Sequence, residues 1–150
     1  MKHLILWHLL GAFITVAACS PTDDDSPTVT DLLTQATWAK IVNLEDANLD
    51  GVFVEFGEEC EKDNFCIFKA DQSYEYNIGP IACPGDPGAD YPIPGTWTLS
   101  ENETLLTISL LGGEPLAFEI LNIEADTLEL GVVETDNPAG VYTQKLLLSR

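Results

Sequence analysis

The chain has 150 residues, of which 45% are hydrophobic and 21% are charged. These are the values of a single globular domain, and they exclude a second domain and disorder over most of the length. Six Lys and Arg residues stand against 25 Asp and Glu residues, for a net charge of −19. This balance excludes nucleic acid as a partner, because phosphate backbones are bound through Lys and Arg.

The N-terminal segment has the anatomy of a secretory signal peptide. A weakly basic start, residues 1–3, leads into an apolar run, residues 4–15, that is shorter than the roughly 20 residues of a membrane-spanning helix. The run ends in Val16, Ala17, Ala18 and Cys19. This ending resembles the bacterial lipobox, which implies that residues 1–18 are a lipoprotein signal peptide and that Cys19 carries lipid. An ordinary cleaved signal with an incidental cysteine is the alternative.

Residues 19–28 are predicted to be a lipidated, acidic tether, because they combine two prolines with three consecutive aspartates and have no apolar periodicity. Ser20 after the cysteine resembles the outer-membrane sorting signal of Gram-negative lipoproteins. The acidic run resembles the surface-export signal of some of these lipoproteins, and a plain spacer is the alternative. The expected location is therefore the outer membrane of a Gram-negative cell envelope, with a lipid anchor. Exposure at the cell surface follows if the acidic run is an export signal, and the sequence leaves the periplasmic and the external face both open.

Residues 29–150 are predicted to form one all-β domain. A short helical turn within residues 28–35, capped by Thr28 or Thr30, comes first. Apolar and polar residues then alternate, as in half-buried strands, in segments 74–78, 97–99, 106–110, 116–120 and 128–132. Turn signals lie at 50–51, 70–72, 84–88, 101–103, 112–115 and 136–138. About eight antiparallel strands are expected to close into a small up-and-down barrel, because closure removes exposed sheet edges.

Several short segments in a fixed order carry a family resemblance. They are Leu32 and Leu33 before Trp38, residues 60–64 before the strand with Phe68, the hairpin 70–74, Cys83, and segments 95–99, 104–108, 118–121 and 127–130. In this order they resemble the lipocalin-like domain lipoproteins of Gram-negative bacteria. The resemblance implies a lipocalin-like barrel and little about chemistry. Gln72 departs from the pattern, since that family usually has glycine there.

Three cysteines remain once Cys19 is assigned to lipid, and an exported domain allows disulfides. The order of the strands allows Cys60 to pair with Cys83, and a bridge from Cys60 to Cys66 is the competing pairing. The family resemblance points to Cys60 and Cys83. Cys66 lies in phase with Phe68 and is expected to be a buried thiol.

Residues 46–51 have the D-x-N-x-D-G spacing of a calcium loop, with Asp46, Asn48 and Asp50 as candidate ligands. The twelfth loop position, which should be a bidentate glutamate, is Gly57, and strands rather than helices are predicted on both sides. A hairpin turn rich in Asp and Asn explains the same residues without metal. Calcium is the one cofactor that the sequence suggests.

Aromatic side chains are expected to face the barrel interior, where they would line a cavity for a small apolar ligand or pack as a solid core. They are Trp38, Phe56, Phe68, Tyr74, Tyr76, Trp97, Phe118 and Tyr142. Lys40 lies in phase with Trp38 and Val42, so its side chain is expected near the barrel mouth, where it would snorkel or meet an anionic ligand group.

The catalytic repertoire of the mature chain is small. Both histidines, His3 and His8, lie in the predicted leader, and Arg150 is the only arginine. No catalytic residue is therefore predicted, and the protein is not expected to be an enzyme. We expect a lipid-anchored outer-membrane lipoprotein that binds a small hydrophobic ligand in a lipocalin-like barrel. The alternative is a structural or partner-binding surface lipoprotein with a packed core and a protein partner that the sequence leaves unspecified.

Overall fold

The structure is a computed structural model that describes residues 26–35, 37–85, 92–133 and 142–150. The predicted leader 1–18, the lipid-bearing Cys19, most of the tether and the turn at 136–138 lie outside the described residues. Among the residues that are described, no helix is both long enough and apolar enough to cross a membrane.

The described parts of the chain contain one short α-helix, one turn of 3₁₀ helix and nine strands. The helix is α1 (Val29–Thr34), and the 3₁₀ turn spans Glu59–Glu61. The strands are β1 (Thr37–Glu45), β2 (Val54–Phe56), β3 (Phe65–Phe68), β4 (Ser73–Asn77), β5 (Ile93–Leu99), β6 (Leu105–Leu110), β7 (Leu116–Ile123), β8 (Thr127–Val132) and β9 (Gln144–Ser149).

The strands form one closed antiparallel barrel. From β3 to β9 each strand pairs with the next one along the chain, and β9 pairs with β1 to close the sheet. The other edge of β1 is shared, because its first residues pair with β3 and its last residues pair with β2. The sheet therefore closes with eight strands around the barrel plus the short β2, which confirms the predicted small up-and-down barrel preceded by a helical turn.

Helix α1 closes one end of the barrel. The Thr28 hydroxyl accepts a hydrogen bond from Asp31 N at 3.1 Å, and the Asp31 carboxylate accepts one from Thr28 N at 3.0 Å, which is a reciprocal cap. Leu33 is fully buried at the barrel end, and Trp38 Nε1 donates to the Leu33 carbonyl at 3.0 Å. Thr28 is thus the cap, as predicted, and the cap fixes the helix over the closed end.

The hydrophobic core fills the barrel next to α1. Phe68 packs against Tyr74, with ring centroids 5.0 Å apart, and meets Trp97 edge-on at 5.8 Å. Further inward side chains complete this layer: Trp38, Leu106, Leu128 and Leu148. Each large side chain buried here contributes about 1.5–3 kcal/mol relative to exposure, so the closed end holds the most stabilising contacts.

A bulge in β1 changes the phase that the sequence predicts for this strand. The register with β9 shifts between Ala39 and Val42, and Lys40 has a positive φ of 49°. Ile41 therefore faces the interior instead of Val42, and Lys40 is exposed. The expectation that Lys40 shares the inward phase of Trp38 is wrong, because a single extra residue inverts the alternation beyond it.

The barrel end opposite α1 carries the disulfide. Cys60, in the 3₁₀ turn, is bonded to Cys83, in the segment after β4, with a Cα–Cα distance of 5.3 Å. Cys66 is a free, buried cysteine. The pairing that the family resemblance implied is confirmed, and the competing bridge to Cys66 is not formed.

Candidate functional site: the barrel cavity

The barrel is solid at the α1 end and hollow toward the other end. A cavity of about 190 Å³ lies above the aromatic layer. Most of its wall is apolar: Ile41, Phe68, Ile108, Leu110, Leu116, Phe118, Leu130, Leu146 and Leu148. The polar part of its lining consists of Asn43, Glu61, Asn64, Cys66, Tyr74 and Tyr76. An apolar chamber with a few polar groups is the usual form of a small-molecule site.

Four of the aromatic residues that the sequence assigned to a cavity do line it: Phe68, Tyr74, Tyr76 and Phe118. Trp38 and Trp97 point inward as well, but they are buried in the core and are not part of the cavity wall. They close the base of the site rather than line it.

Two of the expected interior aromatics lie outside the barrel, which corrects the sequence prediction. Tyr142 lies across Gly131, on the outward face of β8, where a Cβ on the glycine would be 2.6 Å from the Tyr142 ring. The Tyr142 hydroxyl donates to Glu119 on β7. Phe56, on the short β2, is 41% exposed. Phe56 lies in a strand of three residues and Tyr142 lies before β9, so neither position belongs to a long alternating segment from which the inward or outward direction of the side chain could be predicted.

A buried thiol and a buried phenol lie side by side in the cavity wall. Burial raises the pKa of Cys66 to about 12, although the neighbouring Tyr74 hydroxyl lowers it slightly. Burial also raises the pKa of Tyr74, and the adjacent Cys66 and Tyr76 add to this increase. Both groups are therefore neutral at physiological pH, and Cys66 lacks the thiolate that a nucleophile requires.

Asn64 organises the polar side of the cavity. It precedes β3, is almost fully buried, and its Oδ1 accepts a hydrogen bond from Gly79 N at 3.0 Å. Its Nδ2 donates to the Tyr76 hydroxyl at 2.6 Å. The amide thus fixes the position of the Tyr76 ring and joins the start of β3 to the end of β4. No sequence pattern marked Asn64, because its partners are 12 and 15 residues away along the chain.

Glu61 supplies the one carboxylate among the lining residues that the structure describes. Its Oε2 accepts a hydrogen bond from Glu58 N at 3.1 Å, which holds the side chain against its own 3₁₀ turn. Gly57 makes room for this carboxylate, since a Cβ there would lie 2.6 Å from Oε2 and 3.7 Å from Asn43 Nδ2. Gly57 has a φ of 110°, so glycine is required for its backbone as well. Neither Glu61 nor Asn43 was marked by the sequence.

The predicted calcium loop lies outside the cavity, between β1 and β2. Asp46 is 4% exposed, and its carboxylate oxygens accept hydrogen bonds from Asp50 N at 3.2 Å and Gly51 N at 2.8 Å. Asp50 in turn accepts from Val52 N at 2.9 Å, and Asn48 is exposed. These hydrogen bonds are the ones expected if the segment is a hairpin turn that binds no metal. Calcium binding at this turn stays a prediction.

A comparison of the sequence with known protein families gives a result that agrees with the observed barrel. The family model of the lipocalin-like domain matches residues 35–130, from the start of β1 into β8. No curated protein and no solved structure matches the chain. Because the match covers more than half of the sequence and the observed topology agrees with it, the chain belongs to the lipocalin-like domain family.

Proposed function

We propose that the protein binds a small apolar ligand inside its barrel, and that it does so as a lipoprotein anchored in the outer membrane through Cys19. The observation that carries the binding function is the apolar cavity enclosed by the barrel above a solid core. A protein that served only as a structural element would gain stability by filling this space, since empty apolar volume costs about 24 cal/mol per Å³.

The size of the cavity defines the class of ligand. An apolar cavity of about 150 Å³ is enough for benzene, so a volume near 190 Å³ fits one aromatic ring with a short substituent. Ligands of this size gain at most about 1.5 kcal/mol per non-hydrogen atom, and usually less. Dissociation constants in the micromolar to millimolar range are therefore expected, about −8 to −4 kcal/mol.

Binding rather than catalysis is proposed because the buried thiol and phenol of the cavity are neutral and its described lining contains a single carboxylate. Cys66 and Tyr74 are held in their protonated forms by burial. The carboxylate of Glu61 has no second carboxylate beside it in the lining, so the pair that would hydrolyse a glycosidic bond is missing from the described cavity wall.

In this proposal the anchor would be attached to the end of the domain opposite the cavity. Helix α1 begins at Val29 and covers the closed end, so a tether from Cys19 to Thr28 would reach the domain there. Such a tether spans at most about 30 Å when fully extended. The cavity mouth would then face away from the bilayer, toward ligands that arrive from the aqueous side.

Calorimetric titration with phenethyl alcohol tests the binding function on the full protein, purified with its anchor and placed in zwitterionic nanodiscs. Saturable binding is expected above an empty-nanodisc blank. Leu116→Trp should abolish binding, because Leu116 lines the cavity and is half exposed, so a larger side chain is accommodated while the mouth is filled. Leu111→Trp is the matched control, since Leu111 is 79% exposed on the neighbouring turn and does not line the cavity. A wild-type titration without saturation would overturn the proposal.

Mass analysis of the N-terminal peptide tests the anchor. The expected product begins at Cys19 and carries acyl chains, at least two of which are required for stable membrane attachment. A Cys19→Ala variant should lose the acyl mass and leave the membrane fraction. An unmodified Cys19 in the mature protein would disprove the proposed location.

A further inference from the structure

The described lining of the cavity carries negative charge only. Among the described residues that line the cavity, Glu61 is the only one with a carboxylate, and none is a lysine or an arginine. Further acidic residues, Glu58, Glu59, Asp63 and Glu114, follow or precede strands at the same end of the barrel. A carboxylate that enters this site meets like charge with no cation to neutralise it, which is unfavourable in a partly dehydrated chamber.

Lys62, the lysine nearest to Glu61 in the sequence, is already paired with two other carboxylates. Lys62 follows Glu61 directly, but its Nζ lies 3.0 Å from a Glu55 carboxylate oxygen and 2.7 Å from a Glu59 carboxylate oxygen. These contacts raise its pKa, with the Glu59 hydrogen bond as the largest cause, and keep its charge on the outer surface. It is therefore not directed at a ligand in the cavity.

The remaining cations of the described chain do not line the cavity either. Lys145 pairs with Glu129 on the outer face at 2.9 Å, and Lys69 pairs with Glu75. Lys40 is exposed on the β1 bulge, and Arg150 lies over Trp38 at the closed end. The described wall of the cavity thus offers an incoming ligand a carboxylate and aromatic rings, but no positive group.

From this arrangement we infer that the cavity selects small aromatic amines, with the ring in the apolar chamber and the ammonium group on the Glu61 carboxylate, and that it rejects aromatic carboxylic acids. The inference rests on the proposed binding function and adds the chemical class of the ligand. Phe68, Tyr74 and Phe118 line the apolar part that receives the ring, and Glu61 lies in the polar part of the same lining.

Three probes of similar size test the selectivity: phenethylamine, phenethyl alcohol and phenylacetate, titrated calorimetrically at neutral pH into the full protein in zwitterionic nanodiscs. The amine is expected to bind about tenfold more tightly than the acid, with the alcohol between them. Glu61→Gln should reduce the difference between amine and acid to less than about threefold and leave the affinity for the alcohol nearly unchanged.

Glu114→Gln is the matched control, because Glu114 is an exposed residue of the β6–β7 turn that does not line the cavity. It removes the same charge at the same end of the barrel and should leave the selectivity intact. Equal loss of selectivity in both variants would show a general field effect and overturn the role of Glu61.

The outcomes separate this inference from the proposed function. If the alcohol binds and the acid binds as tightly as the amine, selectivity for amines is disproved while the binding function stands. If none of the three probes gives a saturable signal, the binding function fails and the inference fails with it.

Discussion

The guanidinium group of Arg150 lies over the indole ring of Trp38, with its Cζ 4.3 Å from the ring centroid. Its Nη2 donates a hydrogen bond to the Leu32 carbonyl at 2.6 Å. Arg150, which directly follows β9, therefore also holds helix α1 in place. From the sequence, Arg150 was notable only as the single arginine of the chain. In the structure it joins three elements, α1, β1 and β9, at the closed end of the barrel.

Replacing Arg150 with alanine should therefore lower the free energy of unfolding by about 2 kcal/mol, the combined scale of one cation–π contact and one charged hydrogen bond. Arg150→Lys is the control that keeps the charge but not the planar stacking, and about half of the loss is expected. Urea unfolding followed by tryptophan fluorescence measures both. Equal stability of the alanine variant and the wild type would mean that the contact does not contribute.

The turn between β3 and β4 offers a stabilising substitution. Gln72 has a φ of 67°, a conformation that costs a side-chain-bearing residue about 1 kcal/mol or more. Gln72→Gly should raise the free energy of unfolding by roughly 0.5–1 kcal/mol, since part of the gain is offset by the greater freedom of glycine in the unfolded chain. Thermal melting checks this.

Gln72→Ala is the matched control for that experiment, because alanine has the same backbone restriction as glutamine and removes only the exposed side chain. No gain is expected from it. A glycine variant no more stable than the alanine variant would show that the positive φ carries no strain. Gln72 N donates a hydrogen bond to the Lys69 carbonyl, and the Gln72 carbonyl accepts one from Trp97 N, both at 2.9 Å. Both bonds use backbone atoms only, so either substitution keeps them.

Local patterns were enough to predict much of the fold but little of the site. Alternation in β6 and β8 gave the inward residues correctly because no bulge interrupts those pairings with β5 and β9. In β1 the bulge at Lys40 reversed which residues face the interior, and no local sequence pattern indicates an extra residue there. The polar lining was missed for a different reason. Glu61 reaches the cavity from the 3₁₀ turn and Asn64 from the residue before β3, and the partners of Asn64 are 12 and 15 residues away in the sequence.

The disulfide is expected to stabilise the open end of the barrel. Cys60 and Cys83 are 23 residues apart, and closing a loop of this length contributes about 3 kcal/mol on the chain-entropy model. Reduction, or the double substitution of both cysteines by serine, should therefore lower the melting temperature. Cys66→Ala is the control, since it removes the free thiol and should leave the response to reductant intact. Identical melting curves with and without reductant would contradict a structural role for the bridge.

Cys66 makes the native state sensitive to high pH. The ordinary thiol pKa of 9.0 rises to about 12 in the fold, so above pH 9 the unfolded chain loses a proton that the native chain keeps. The stabilising contribution is complete below pH 9 and is lost as the pH rises toward 12. Tyr74, whose pKa is also raised, acts in the same direction.

Urea unfolding at increasing alkaline pH should therefore show stability falling more steeply in the wild type than in Cys66→Ala. The slope is compared rather than the level, because the substitution also leaves a small void. Iodoacetamide at mildly alkaline pH should label Cys66 only after urea is added. Labelling of the native protein at the rate of the unfolded chain would show that the thiol is accessible.

The turn between β1 and β2 provides the last prediction. The buried Asp46 carboxylate accepts two backbone hydrogen bonds, so Asp46→Ala should lower the free energy of unfolding by about 1–2 kcal/mol. Asp50→Ala, which removes one exposed hydrogen bond, should cost about 0.5 kcal/mol. If Asp46 serves only the turn, both losses will be the same in calcium and in chelator. A melting temperature that rises with calcium in the wild type and not in Asp46→Ala would instead establish a cation site at this turn. Identical melting curves of the wild type in calcium and in chelator would dismiss that site.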